Sequence, residues 1–137
     1  MNGARPFIDT NVLLYLASCE LAKAQTAEDV LSFGGTVSVQ VLNEFVSVAR
    51  RKMLLSWPEI ADFTRSIRNL CQVTPLTLAL HDHALQLAER YRLPIYDAAI
   101  VAAALEAGCD LLLTEDFQPG QMFERRLRVH NPFAAAR

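Results

Sequence analysis

Lysine is nearly missing from this chain, and none occurs after Lys52. Cysteine is scarce too: Cys19, Cys71 and Cys109 are widely spaced and no C-x-x-C pair occurs. That count and spacing speak against a disulfide framework and against a zinc site. Each of the three lies in an apolar stretch, so all are expected to be buried free thiols, as suits a reducing cytosol. No apolar run reaches about 18 residues, so no membrane span is expected. The first hydrophobic stretch is broken by Asp9 and Asn11, unlike the apolar core of a secretion signal. No charge of one sign dominates: the net charge is −2 and the pI about 5.9. Such a balance excludes a protein that simply coats nucleic acid, but not one that cuts it. With 52% hydrophobic and 20% charged residues the chain is not disordered. No linker, repeat or low-complexity segment interrupts it, and 137 residues suit a single domain over 1–137.

What is present alternates between strand-like and helix-like segments. Pro6 to Asp9 reads as a first strand that ends on a carboxylate, and Val12 to Ala17 as a short helix. Ala22 to Phe33 reads as a second helix, with Ala24, Ala27, Val30, Leu31 and Phe33 inward, closed by Gly34. Thr36 to Val39 is a strand. Gln40 to Met53 shows helical spacing at Val41, Leu42, Phe45, Val46 and Ala49. Ser56, Pro58 and Glu59 mark a helix start with a capping box, running to Leu70 with Ile60, Phe63, Ile67 and Leu70 inward. Val73–Thr74 is a short strand, and Thr77 caps a helix from Leu78 to Tyr91. Pro94 turns the chain into a helix from Asp97 to Ala107, apolar on every side and hence buried. Asp110 to Leu113 and Leu127 to His130 are the last strands. Strands that are apolar throughout, each followed by a helix, predict a three-layer α/β/α sandwich around a mostly parallel sheet of four to five strands.

Most acids, among them Glu20, Glu28, Asp29, Asp62, Glu89, Glu106 and Glu124, stand beside polar neighbours and read as solvated surface. Four do not. Asp9 ends the first strand, Glu44 interrupts an apolar helical stretch, Asp97 opens the most apolar helix, and Asp116 follows the strand ending at Leu113. In a parallel α/β sheet the carboxyl ends of the strands form the ligand crevice. All four acids can reach that end, Asp97 at a helix N-terminus that favours an anion. Taken singly, Asp9 or Asp97 could be a helix cap and Asp116 a turn residue. Taken together they would repel one another by several kcal/mol at low effective dielectric. A cation would relieve this, and a set of carboxylate oxygens selects hard divalent ions such as Mg²⁺ or Mn²⁺.

Phe7-Ile-Asp-Thr-Asn-Val-Leu-Leu-Tyr15, Asn43-Glu-Phe45, Tyr96-Asp-Ala-Ala-Ile-Val-Ala-Ala-Ala104 and Leu113-Thr-Glu-Asp-Phe117 resemble the PIN domain, and within it the VapC toxins of bacterial toxin–antitoxin pairs. The resemblance extends from Phe7 to Phe133. It implies a cytoplasmic Mg²⁺- or Mn²⁺-dependent endoribonuclease with Asp9, Glu44, Asp97 and Asp116 as its acids. Asp9 and Asp97 would hold a metal directly, with Glu44 and Asp116 completing the shell through oxygen or water. Thr10 would be the hydroxyl beside the first acid, and Thr114 would support the last. A homodimer and a small antitoxin laid over the site are also implied.

RNA would have to be gripped by cations or rings. Arg50 to Lys52, Arg65 with Arg68, Arg90 with Arg92, and Arg125, Arg126 and Arg128 are candidates. Tyr96 could stack on a base, or it and Tyr15 could be core. Trp57 is expected to pack, and His81, His83 and His130 to lie outside any catalytic role. The apolar residues Phe45, Met53, Leu54, Leu55, Trp57 and Phe63 exceed what one small core needs, so some should face a partner. A haloacid-dehalogenase-type phosphatase would need a second Asp where Asn11 stands, and a response-regulator receiver would need a late lysine. The alternative of another class is a catalytically idle PIN-like module that only binds protein.

Overall fold

Pro6–Ile8 forms strand β1, and all three of its residues are buried. Neighbouring side chains of a strand point to opposite faces, so both faces of the sheet are covered here. The computed structural model describes residues 5–134. Met1 to Ala4, which precede the stretch compared above with a secretion signal, and residues 135–137 lie outside the described residues.

Helix α1 (Thr10–Leu14) continues as a 3-10 turn over Tyr15–Ala17, and α2 spans Leu21–Phe33. Strand β2 (Gly35–Ser38) leads directly into α3 (Val39–Arg51), whose N-cap Ser38 accepts a hydrogen bond from the Val41 amide. Helix α4 (Trp57–Leu70) begins with the expected Ser56–Glu59 capping box. Strand β3 is Cys71–Thr74 and α5 is Leu78–Tyr91, capped by Thr77. Helix α6 (Ile95–Glu106) is buried almost all round. Strands β4 (Leu111–Leu113), β5 (Met122–Phe123) and β6 (Leu127–His130) complete the sheet. Helix α6 packs against α5 and against β2 and β4, whereas α3 packs against α1, α4 and β2.

Among the described residues the sheet has six strands in the order β3-β2-β1-β4-β6-β5, all parallel except for the β5–β6 pair. The sequence reading gave four to five strands; β5 escaped it because two residues show no periodicity. The β5–β6 turn also lacks a glycine: Glu124 and Arg125 take positive φ angles of 51° and 57°. Glu124, read from sequence as solvated, instead accepts hydrogen bonds from Arg90 and from the Tyr91 hydroxyl.

The strand order has a functional consequence. From β1 the chain winds outward to β2 and β3, then returns to the other side of β1 as β4. The topological switch point therefore lies between β1 and β4, where parallel sheets open a crevice at their carboxyl end.

Several side chains sit differently from their sequence reading. Phe33 and Leu70 are exposed rather than inward, each being the last residue of its helix, past the stretch that faces the core. Trp57 at the start of α4 is 58% exposed, with the Arg50 guanidinium 4.9 Å from its ring centre. Of the cysteines only Cys109 is buried; Cys71 is intermediate, and Cys19 is exposed in the bend before α2. Phe45 is wholly buried, so it is core and not surplus.

Gly35 lies close against β1. A Cβ there would lie 2.8 Å from the Pro6 carbonyl oxygen and 3.3 Å from Ile8 Cδ1 and Pro6 Cγ, and the backbone oxygen has little room to yield. Gly35→Ala should therefore destabilise the fold by about 1–3 kcal/mol, the usual range for overpacking. Urea unfolding measures this; a change within about 0.5 kcal/mol, as for an ordinary surface substitution, would contradict the tight approach.

Candidate active site

Asp9 follows β1 directly. Its backbone amide donates to the Leu113 carbonyl at 3.0 Å, extending the β1–β4 ladder by one rung. It is the N-cap of α1, with Oδ1 accepting from the Thr10 amide at 2.7 Å. Helix capping therefore accounts for only part of its role, because Oδ2 is engaged as well. It accepts from the Thr114 hydroxyl at 2.9 Å and from Asn11 Nδ2 at 3.2 Å. Thr114, fully buried after β4, also accepts from the Asp116 amide at 3.1 Å. It therefore supports the first acid and the last one together.

Asn11 was not among the sequence-predicted site residues, yet it is the hub of this crossing. Its Nδ2 lies within 3.0 Å of Thr114 Oγ1 and 3.0 Å of Asp116 Oδ2, besides Asp9. Its Oδ1 accepts from the Glu115 amide at 3.1 Å. One amide side chain thus ties the segment after β1 to the segment after β4. The signal was present: a side chain with two donors and an acceptor, two residues beyond Asp9 at the start of a helix. Asn is common at helix starts for capping alone, which hid it.

Glu44 projects from the second turn of α3, the helix that follows β2 directly. Oε1 accepts from the Thr10 hydroxyl at 2.7 Å and Oε2 from Gln40 Nε2 at 3.1 Å. Gln40, a second residue missed from sequence, is 8% exposed and also donates to the Tyr96 carbonyl at 3.1 Å. That bond fixes the first turn of α6 beside Glu44. Asp97 lies in this turn but does not cap the helix, which starts two residues earlier, after Pro94.

A chain of neutral donors therefore links Asp116, Asp9, Glu44 and the backbone next to Asp97. The charges that bear on Asp9 and Asp97 from the site are negative. Burial pushes the Asp9 carboxyl up from 3.8 to about 6; the Thr10 amide and Thr114 hydroxyl oppose this, and Glu44 and Asp116 add to it. Burial also raises the Asp97 carboxyl, followed by the charges of Asp116 and Glu44. Among the described residues none of the four acids is in a salt bridge. No three His, Cys, Asp or Glu side chains among them stand close enough to hold an ion by themselves. The four acids form a shared field, not a closed cage.

Three of the other residues weighed from the sequence are engaged away from the acids. Arg90 is engaged by Glu124, Arg65 by Asp62, and His83 by Glu106. Tyr15 donates to Glu115 Oε1 at 2.7 Å and packs on Phe133 with ring centres 4.6 Å apart. Tyr96, beside Asp97, is 70% exposed.

These features define a doubly wound α/β fold with an acidic centre at its switch point. The PIN domain family model matches residues 7–122, and the chain belongs to that family. No curated protein sequence matches it. Among solved structures it is similar to a toxin–antitoxin complex from Klebsiella pneumoniae (TM-score 0.68, 19% identity, covering 95% of this chain and 99% of that one). It is similar also to Mycobacterium tuberculosis VapC20, a toxin that cleaves the sarcin-ricin loop (TM-score 0.63, 20% identity, covering 78% and 86%). A third is VapBC2 from Rickettsia felis, bound to a DNA fragment from its promoter (TM-score 0.62, 17% identity, covering 92% and 97%). At these identities the likeness is one of fold.

Because Asp9 ionises near 6 in the folded chain and near its ordinary value when unfolded, the folded state binds its proton more tightly. The stabilising protonated form is complete below about pH 4 and lost as pH rises through about 6, a loss of about 3 kcal/mol. Asp9→Asn lacks this loss. Asn caps as well as Asp, but its amide nitrogen would face two donors, Thr114 and Asn11, which adds a pH-independent cost. In metal-free melts between about pH 4 and 7, wild-type stability should therefore fall relative to Asp9→Asn. A pH-independent difference between the two would refute the buried charge.

Proposed function

We propose that this protein is a metal-dependent endoribonuclease, the toxin of a toxin–antitoxin pair, with Asp9, Glu44, Asp97 and Asp116 as its working acids. The observation that carries this reading is the uncompensated negative field at the switch point. Asp9 is buried and accepts three hydrogen bonds, all from neutral groups, and the site charges around it are Glu44 and Asp116. Such an arrangement costs stability unless a cation joins it. The donors are all oxygens, which suits Mg²⁺ or Mn²⁺. The open spacing also suits Mg²⁺, which keeps several waters and takes few protein ligands. Asp9 and Asp97 would hold the ion directly, and Glu44 and Asp116 would complete its shell through oxygen or water. When bound, such an ion supplies charge neutralisation at a phosphodiester and a water of lowered pKa.

The chain's own residues supply the positioning. Thr114 and the Thr10 amide fix which Asp9 lone pairs remain free. Thr10 and Gln40 do the same for Glu44, and Asn11 holds Asp116 toward Asp9. Thr10 and Thr114 are supporting residues in this reading, each donating its hydroxyl to one of the acids. Without a cation the site repels RNA, so metal and substrate should bind together.

The toxin role and its partners, a small antitoxin and a second copy of this chain, are part of the proposal. The fold shared with toxin–antitoxin complexes supports the antitoxin. Apolar surface at the α3–α4 join supports the homodimer: Leu54 is 79% exposed and is held at a φ of 57°. No helix among the described residues is long and apolar enough to cross a membrane, and a cytoplasmic site of action is part of the proposal.

The test is cleavage of a panel of structured RNAs with Mg²⁺, Mn²⁺ or EDTA, joined to thermal melts. The wild type should cut in either metal and gain about 2.7 kcal/mol of stability at a hundredfold excess of metal over its dissociation constant. Asp9→Asn should lose cleavage by orders of magnitude and gain far less stability. A fold that melts identically with and without metal and cuts nothing would be the idle binding module instead. A monomer by light scattering at high micromolar concentration would remove the homodimer.

A further inference from the structure

The proposed site has no cation of its own with which to hold a polyanion. Asp9, Glu44 and Asp116 accept from neutral donors, and none of the four acids forms a salt bridge among the described residues. Some other surface next to it has to fix the nucleic acid in register. Single-stranded segments are commonly held by aromatic faces on which bases stack, without regard to sequence.

The chain has three tyrosines, and two are committed. Tyr15 packs on Phe133 and donates to Glu115, while Tyr91 meets Phe123 edge-on with ring centres 4.9 Å apart and donates to Glu124. Tyr96 differs. Among the described residues its ring is in no aromatic pair and under no cation, and it is the most exposed of the three. Core packing, the competing reading from sequence, does not apply to it.

Its position is fixed all the same. Tyr96 lies in the first turn of α6, directly before Asp97. Its carbonyl is held by Gln40, whose side chain is nine-tenths buried and whose amide also holds Glu44. Pro94 sets the backbone at the helix start, and Pro94 and Ile95 are exposed beside it. The buried amide thus ties the backbone beneath an exposed aromatic ring to Glu44, with Asp97 the next residue along the helix. An exposed ring is ordinarily free to shift with its loop; this one is anchored at its backbone beside Glu44.

We propose that Tyr96 is a stacking platform for an unpaired base next to the scissile phosphate, and so helps to select single-stranded or looped RNA over duplex. This rests on the nuclease reading above. Stacking on a tyrosine face needs the ring and not the hydroxyl. Tyr96→Phe should therefore keep the function, while Tyr96→Ala and Tyr96→Leu should lose it, the second despite keeping apolar area. The exposed ring packs against nothing in the core, so none of these variants should alter the fold.

Fluorescence anisotropy provides the test, using a labelled oligouridine and a labelled RNA hairpin in Ca²⁺ to hold cleavage back. Tyr96→Phe should bind both like the wild type. Tyr96→Ala and Tyr96→Leu should bind about tenfold more weakly, in line with the loss of one stacked base, and should raise KM for hairpin cleavage more than they lower kcat. A 2-aminopurine in the loop should be quenched by the wild type and not by Tyr96→Ala. The Mn²⁺-induced rise in melting temperature should be the same in all four proteins, which separates the ring from the acids. If the wild type binds and cuts RNA while Tyr96→Ala and Tyr96→Leu match it, the stacking role is wrong and the nuclease reading stands. If the wild type neither binds nor cuts any RNA, both fall. If the alanine and leucine variants keep RNA binding but fail to hold a co-expressed antitoxin, the ring is a protein contact and the proposal is overturned.

Discussion

Much of this structure depends on the bond between two strand ends. Where β1 meets β4, the Asp9 amide reaches the Leu113 carbonyl and the Asp9 carboxylate accepts from Thr114. These contacts place a buried carboxylate at the switch point of the sheet. They also decide where every other acid must come. Glu44 arrives on α3 because β2 lies on the other side of β1. Asp116 arrives because the chain turns immediately after β4, and Asp97 because α6 crosses the sheet over β2 and β4. A parallel sheet with its order reversed beside the central strand gathers its loops at one point, and the acids ride on those loops.

The stability of that arrangement is not local. Ionising Asp9 in its buried position is costly, as its raised carboxyl shows. The cost is carried by a core in which Phe7, Ile8, Leu112 and Leu113 are almost wholly removed from water on the two strands that frame the site. Burying one such side chain contributes about 1.5–3 kcal/mol. The two strands that hold the acid are thus also among the best-packed elements of the fold, and the strain at their ends cannot relax by separating them.

The architecture was largely legible in the sequence because its signals are periodic or punctuating. Apolar runs with polar ends mark β1 and β4, and alternation after a glycine pair marks β2; Ser56 with Glu59, and Thr77, mark two helix starts to the residue. The features that escaped have no such signal. Strand β5 is two residues long and is fixed by pairing with β6. Helix α6 begins at Ile95 rather than Asp97 because Pro94 already holds the backbone in position to enter a helix, and no capping side chain is required. The four acids stood out because each interrupts an apolar context or ends a strand. Asn11 and Gln40 did not, since an amide at a helix start has a routine explanation. Their importance lies in contacts more than thirty residues distant in sequence, Asn11 with Thr114 and Gln40 with Tyr96.

Those two amides explain how an acidic centre can be rigid and still keep its charge. A lysine or arginine could have satisfied the same carboxylate oxygens with stronger bonds, but it would have cancelled their negative charge. Lysine is nearly absent from the sequence, and Arg65 and Arg90 are paired with other acids. Asn11, Gln40, Thr10 and Thr114 donate hydrogen bonds without contributing a charge. They hold Asp9, Glu44 and Asp116 in fixed directions with their charge uncancelled. Rigidity normally follows from neutralising buried charge; here neutral donors supply the rigidity, and the electrostatic cost is left for whatever binds.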